Sequence, residues 1–274
     1  MTMTKDLTVI KLGGSLLTDK KKPYTYREKV LKSVAREIRE CLDEGLIQSL
    51  ILLHGVGSYG HPPVLEHNLH KGFLGPEQLL PLSKTQESVA TLRHIIVNEL
   101  QNAGIPVCLM YPSSMATAEK MRMTHYFLEP LKGFASIGMV PLLGGDILID
   151  SVMGWSVGSG DQLAVIIANE LGAKRLIFAS DVSGIYEADP KVDSTASLIE
   201  TVDLSKLDAT LEQMGKSETM DASGRMKGKL QSLVPAIPAI KEGLEVGLLS
   251  MMEYGSLKSY LTGGQTLATR VVVK

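Results

Sequence analysis

Two hydrophobic periods take turns along this chain. Short apolar, β-branched runs occur at 7–10, 50–53, 106–110, 140–143, 176–179, 246–249 and 266–273. Such runs predict buried strands. Between them lie longer stretches with apolar residues every three or four positions, which predict amphipathic helices. In 26–44 the stripe is Val30, Val34, Ile38 and Leu42, and Gly45 supplies a stop. In 83–102 it is Val89, Leu92, Ile96 and Leu100. Further helices are expected at 127–137, from Gly158-Ser159-Gly160-Asp161 to Leu171, near 204–211, and after Ser223-Gly224-Arg225-Met226. Pro235 and Pro238 should break the last of these, because proline removes a backbone donor. A hairpin is expected over 147–157, turning near Met153-Gly154. Residues 62–82 hold Pro62, Pro63, Pro76 and Pro81 and predict a mobile loop with little regular structure. Strands alternating with helices give an α/β fold with a mostly parallel sheet.

Composition narrows the class. The 274 residues are 44% hydrophobic and 21% charged, with a net charge of −2. A sizeable core is possible, and no basic field favours nucleic acid. Only two cysteines occur, Cys41 and Cys108, both in apolar contexts, which suggests buried thiols in a reducing compartment. The polar segment 1–6 lacks the apolar run of a signal peptide, and no stretch approaches the ~20 apolar residues of a membrane span. The expectation is a cytoplasmic protein with no membrane partner.

The candidate chemistry lies where strands end. Lys11-Leu12-Gly13-Gly14-Ser15 closes the first strand with backbone N–H groups that no side chain covers, a device that cradles phosphate oxygens. Lys11 and Lys20 flank it. A second glycine loop, Gly55 to Gly60, closes the second strand and ends at His61, a potential donor to phosphate. Ligands of open α/β sheets bind at such carboxyl ends. Asp161 opens a helix, where it can cap the helix, orient lysines, or do both. Asp181-Val182-Ser183-Gly184-Ile185-Tyr186 with Asp189-Pro190 reads as the rim of a nucleotide pocket or as a tight loop. Lys229 lies early on a later helix. His54 reads as structural, His67, His70 and His125 read as surface residues, and His94 lies on a predicted helix. No histidine pair has a metal-ligand spacing with a carboxylate, so no metal ligand is assigned. Walker-A, dinucleotide-binding and nucleophile-elbow patterns are absent from the sequence.

Taken in order, these segments resemble the amino acid kinase superfamily: Lys11 to Ser15, Gly145-Asp146, Gly160-Asp161, Asp181 to Tyr186 with Asp189-Pro190, and Gly224 to Lys229. His54-Gly55-Val56-Gly57-Ser58-Tyr59-Gly60-His61 and Lys20 resemble its isopentenyl phosphate kinase branch. The resemblance implies a three-layer αβα sandwich, a single domain over 1–274 with an acceptor-binding lobe (1–172) and an ATP-binding lobe (173–274), and a homodimer. It implies ATP and Mg²⁺ as cofactors and isopentenyl phosphate, or a similar isoprenoid monophosphate, as acceptor. Lys11, Gly13, Gly14, Ser15, Gly57, Asp181, Tyr186 and Lys229 would contact ATP, and Val56, His61 and Gly160 the acceptor phosphate. Lys20 would stabilise the transition state, and Asp161 would hold the lysines. Lys11, Lys20, His61, Asp161 and Lys229 form the catalytic set. Val56 and Arg225 stand where this family usually has glycine. The helix at 83–102 is a candidate wall for an isoprenoid tail, against ordinary core for most of its stripe. The alternatives are a kinase of another small phosphate or phosphonate, a nucleoside monophosphate kinase, and a nucleotide-binding sensor without catalysis.

Overall fold

The computed structural model describes residues 6–19, 21–208, 211 and 225–274, with 225–227 described by their backbone alone. In the first half the elements are β1 (Leu7–Leu12), α1 (Gly14–Leu17), α2 (Glu28–Asp43), β2 (Ser49–His54), α3 (Gly57–Glu66), α4 (Leu79–Asn102), β3 (Val107–Leu109), β4 (Ala116–Glu119), β5 (Arg122–Tyr126), α5 (Glu129–Ser136) and β6 (Val140–Gly144). Then come β7 (Asp146–Asp150), β8 (Gly154–Gly158), α6 (Gly160–Glu170), β9 (Arg175–Ser180), β10 (Ile185–Tyr186), β11 (Leu198–Ile199), β12 (Thr201–Asp203), α7 (Arg225–Leu233), α8 (Ile237–Lys241), β13 (Glu245–Ser250), α9 (Ser256–Leu261) and β14 (Ala268–Val272).

Eight strands form the main sheet in the order β12-β14-β13-β9-β1-β2-β6-β3. Every neighbouring pair is parallel except β13 with β14. β1 lies near the middle, with β2 on one side and β9 on the other, so the chain reverses its direction of travel across the sheet at β1. Side chains of a strand point to alternate faces, and the two faces feed two cores. Leu7, Val9, Ile51 and Leu53 pack with α6 and α7 through Leu163, Ile167, Leu230 and Leu233. Ile10, Leu12, Leu50 and Leu52 pack with α2 and α4 through Val34, Ile38, Leu92 and Ile96. The result is the expected three-layer sandwich. Among the described residues no helix is long and apolar enough to cross a membrane.

Two stretches differ from the sequence reading. Residues 62–82 are largely regular: α3 runs through Pro62 and Pro63, short 3-10 turns follow at Leu69–Lys71 and Pro76–Gln78, and α4 begins at Leu79. Each proline deletes an N–H that would have bonded the carbonyl four residues back. The two carbonyls so freed are used elsewhere. Ser58 O accepts from Tyr24 N (3.3 Å), and Tyr59 O accepts from Ser88 Oγ (2.9 Å). The freed carbonyls thus tie α3 to the backbone at Tyr24 and to α4. Second, β4 and β5 form a hairpin that joins β7 and β8 in a separate four-stranded sheet. The short runs of β4 and β5 have little apolar content and no strong period. Near 204–211 the expected helix opens with a 3-10 turn, Leu204–Lys206, and the described residues 207, 208 and 211 are helical.

Candidate active site

The alternation that builds the two cores also places the first lysine. Lys11 follows Leu7 and Val9 on the face covered by α6 and α7, and it is 9% exposed. There its Nζ meets Asp161 Oδ1 of α6 at 2.7 Å. Lys229 Nζ of α7 meets Asp161 Oδ2 at 2.8 Å. The Lys229 ammonium also lies 4.5 Å above the ring of Phe178, whose strand position is the partner of Lys11 in the β1–β9 register. Residues 11, 161 and 229 thus converge from three separate elements.

The electrostatics follow from burial. Burial opposes the Asp161 charge, but the Lys11 and Lys229 ammonium groups together outweigh it and hold the carboxyl well below its usual range. For Lys229 the balance goes the other way. Burial and the Lys11 charge lower its pKa to about 8, against the opposing pull of Asp161. Asp161 does not cap α6. Ser159 does, its Oγ accepting from Asp161 N (3.2 Å) and Gln162 N (3.4 Å), which leaves the Asp161 carboxylate to the lysines.

The two glycine loops touch backbone to backbone at the ends of β1 and β2. A Cβ on Gly14 would lie 2.5 Å from Gly57 N, so the contact requires glycine. Gly57 has φ +47°, a conformation other residues adopt at a cost. Thr18, fully buried, clamps the pair: its Oγ1 donates to Gly14 O (2.7 Å) and accepts from Ser58 N (3.0 Å). Gly13 N donates to Ala179 O (2.7 Å) and Gly145 N to His54 O (3.1 Å), tying in the ends of β9 and β6. Ser15 lies in the first turn after Gly14, on α1. Val56 has φ −82°, so valine is unstrained there, and its side chain fills the space left by Gly60. His61 is exposed on α3, and Gly160 opens α6 with Lys11 Cε close by.

Other assignments fall elsewhere. Asp181 directly follows β9 and pairs with Lys191. Tyr186 lies on β10, paired with Leu198. Lys20 and residues 223–224 lie outside the described residues, as does the Arg225 side chain. On α4, Leu92, Ile96 and Leu100 are core. Among the described residues no group of three or more His, Cys, Asp or Glu could hold a metal ion. The sequence reading missed Thr18 and Arg93. The second carried a signal: Arg93 falls on the buried stripe of α4, one residue after Leu92 and three before Ile96.

The amino acid kinase family model matches residues 6–242. The isopentenyl phosphate kinase of Methanothermobacter thermautotrophicus is 30% identical, the match covering 98% of this chain and 100% of that protein. That of Methanocaldococcus jannaschii is 30% identical over 83% of this chain and 86% of its own length. A solved isopentenyl phosphate kinase structure superposes with a TM-score of 0.80 at 26% identity, covering 97% of this chain and 100% of that one.

Proposed function

The chain belongs to the amino acid kinase family, and from that premise we infer that it is an ATP-dependent phosphotransferase acting on isopentenyl phosphate. The observation that carries the site reading is the meeting of Lys11, Asp161 and Lys229 beside the paired glycine loops. Two lysines around one carboxylate leave a surplus positive charge, and the glycine loops offer backbone donors. That is a site for facing phosphates, not for activating a neutral nucleophile.

A phosphate monoester is already largely dianionic at pH 7, its second pKa being about 6. The acceptor therefore needs no general base. An acceptor phosphate oxygen attacks the γ-phosphorus in line, the bond from that phosphorus to the bridging oxygen breaks, and ADP leaves with the electron pair. What opposes the reaction is repulsion between two anions. Lys11 and Lys229 offset it from the nucleotide side, with Gly14, Ser15 and Gly57 offering N–H groups; the Gly13 N–H is taken by Ala179 O, and Gly13 is assigned to the nucleotide through the close backbone approach that glycine permits. Lys20 is assigned to the transferring group. Asp181 and Tyr186 are assigned to the nucleotide, and Val56, His61 and Gly160 to the acceptor phosphate. Asp161 keeps both lysines in place through their ion pairs. The acceptor lies on the 1–172 side and ATP on the 173–274 side.

Asp161 is engaged by both lysines, and the described residues offer no carboxylate cluster. A magnesium ion would travel with the nucleotide on phosphate oxygens, and no residue of this chain is assigned to it. The same family reading gives a homodimer, checked by light scattering, and the sequence reading gives a cytoplasmic location, checked by fractionation.

An acceptor panel with ATP tests the function. Isopentenyl phosphate should give the highest kcat/KM, above dimethylallyl and geranyl phosphates, small phosphonates, UMP and glutamate. A preference for UMP or for a phosphonate would overturn the reading, as would ATP binding without ADP release over the whole panel. His61→Ala should lower kcat by about 10²-fold, the scale of losing a single charge-stabilising donor. Its circular dichroism should be unchanged, and near-normal turnover would refute the role.

A further inference from the structure

Behind the glycine loops lies a buried cation that phosphoryl transfer does not directly use. Arg93 of α4 is 1% exposed. Its Nε donates to His54 Nε2 (3.0 Å), an Nη donates to Gly145 O (3.3 Å), and the guanidinium lies 4.7 Å from the Tyr111 ring centre. Among the described residues no carboxylate forms an ion pair with it. The Asp146 carboxylate, whose charge it feels, accepts instead from Ser113 N and Oγ. A guanidinium buried on such terms is costly, so what it holds matters.

It holds His54 in one tautomer. A guanidinium cannot accept a hydrogen bond, so Nε2 is the acceptor and the proton sits on Nδ1. Nδ1 lies 3.2 Å from Gly55 O and donates to it. Burial and the Arg93 charge push the imidazole down to about 3, so it stays neutral. The C=O and N–H of a trans peptide point to opposite sides. With the Gly55 carbonyl drawn toward His54, the Val56 N–H of the same peptide is turned the other way. The second carbonyl held by Arg93, Gly145 O, fixes the segment against which Val56 packs, for a Cβ on Gly145 would lie 3.0 Å from Val56 Cγ1. His54 O lies close under Gly160.

We propose that Arg93 and His54 are positioning residues: a relay from guanidinium to imidazole to the Gly55 carbonyl orients and polarises the Gly55–Val56 peptide so that the Val56 N–H faces the acceptor phosphate. This rests on the acceptor assignment above. Hydrogen-bond chains strengthen along their length in a low-dielectric interior, so the buried charge acts through the relay on a group at the surface.

Three variants test it. His54→Leu removes the donor, His54→Asn keeps an amide N–H directed at Gly55 O, and Arg93→Gln weakens the relay while leaving His54 in place. His54→Leu should raise the KM for isopentenyl phosphate about tenfold, the scale of one lost hydrogen bond, and leave the KM for ATP within about twofold. His54→Asn should recover most of the loss, and Arg93→Gln should show the same one-sided effect, which serves if His54→Leu does not fold. Equal damage to both KM values, or no rescue by asparagine, would reduce the pair to a structural role and overturn the proposal. A second readout uses inorganic phosphate and the Val56 amide resonance. Phosphate should shift that resonance in the unaltered protein and in His54→Asn, and not in His54→Leu. No shift in the unaltered protein overturns the relay. A shift in a protein that phosphorylates no isoprenoid phosphate supports the relay and overturns the acceptor reading instead.

Discussion

Lys229 carries the most testable consequence of the site at the level of one residue. Its pKa lies near 8 where an unperturbed lysine has 10.5, because burial and Lys11 disfavour its charge more than Asp161 favours it. An arriving triphosphate reverses that balance and raises the value. ATP binding between pH 8 and 9 should therefore take up protons. Calorimetry in buffers of different ionisation enthalpy should detect the uptake, and Lys229→Met should abolish it. Uptake that survives in the variant, or none in the unaltered protein, would place the triphosphate away from Lys229. The linkage has a stability counterpart. Between pH 8 and 10.5 the unfolded chain holds the Lys229 proton more tightly than the folded chain, so this group's contribution to stability rises with pH there. Lys11 and Asp161 were legible as residues, since a lysine beside strand-end glycines and an acid at a helix start are unusual together, whereas Lys229, early on a helix, stood out only through the family resemblance. That Ser159 and not Asp161 caps the helix was not legible, because both residues cap well.

At the level of elements, the paired glycine loops depend on a backbone contact that only glycine permits. Gly14→Ala would force a methyl to within 2.5 Å of Gly57 N. The loops must part, at a cost of about 1–3 kcal/mol, and catalysis should fall further than stability because the phosphate-facing N–H groups move. Chemical denaturation and steady-state kinetics on the same preparation check this. A variant with normal kcat/KM would show that the loops need not touch. The strands and long helices were legible because their periods are sustained over many residues. The 62–82 segment was misread for a physical reason. Two adjacent prolines predict a broken helix from local chemistry, and the partners that relieve them, Tyr24 N and Ser88 Oγ, are distant in sequence. The β4–β5 hairpin was missed because its strands are short and half exposed. Arg93 was passed over because a charged residue on a buried stripe is easily taken for a solvated one, when its position against Leu92 and Ile96 marked it as interior.

At the level of the whole molecule, one central strand organises everything. β1 sends Val9 to one core and Ile10 to the other, and then delivers Lys11 between α6 and α7. A mostly parallel sheet covered by helices was legible from the alternation of strands and helices, and the three-layer sandwich from the family resemblance. Strand order was not, because pairing between distant segments is not written in local periods. The charges that the account places between two anionic reactants come from β1, α6 and α7, and only the folded sheet brings them together. The decisive measurement is a crystal structure with isopentenyl phosphate and a non-hydrolysable ATP analogue. The Lys11 and Lys229 ammonium groups should lie within hydrogen-bond distance of the nucleotide's terminal phosphates, and the acceptor phosphate against Val56 and His61. Nucleotide phosphates bound in another cleft, with Lys11, Asp161 and Lys229 untouched, would contradict it.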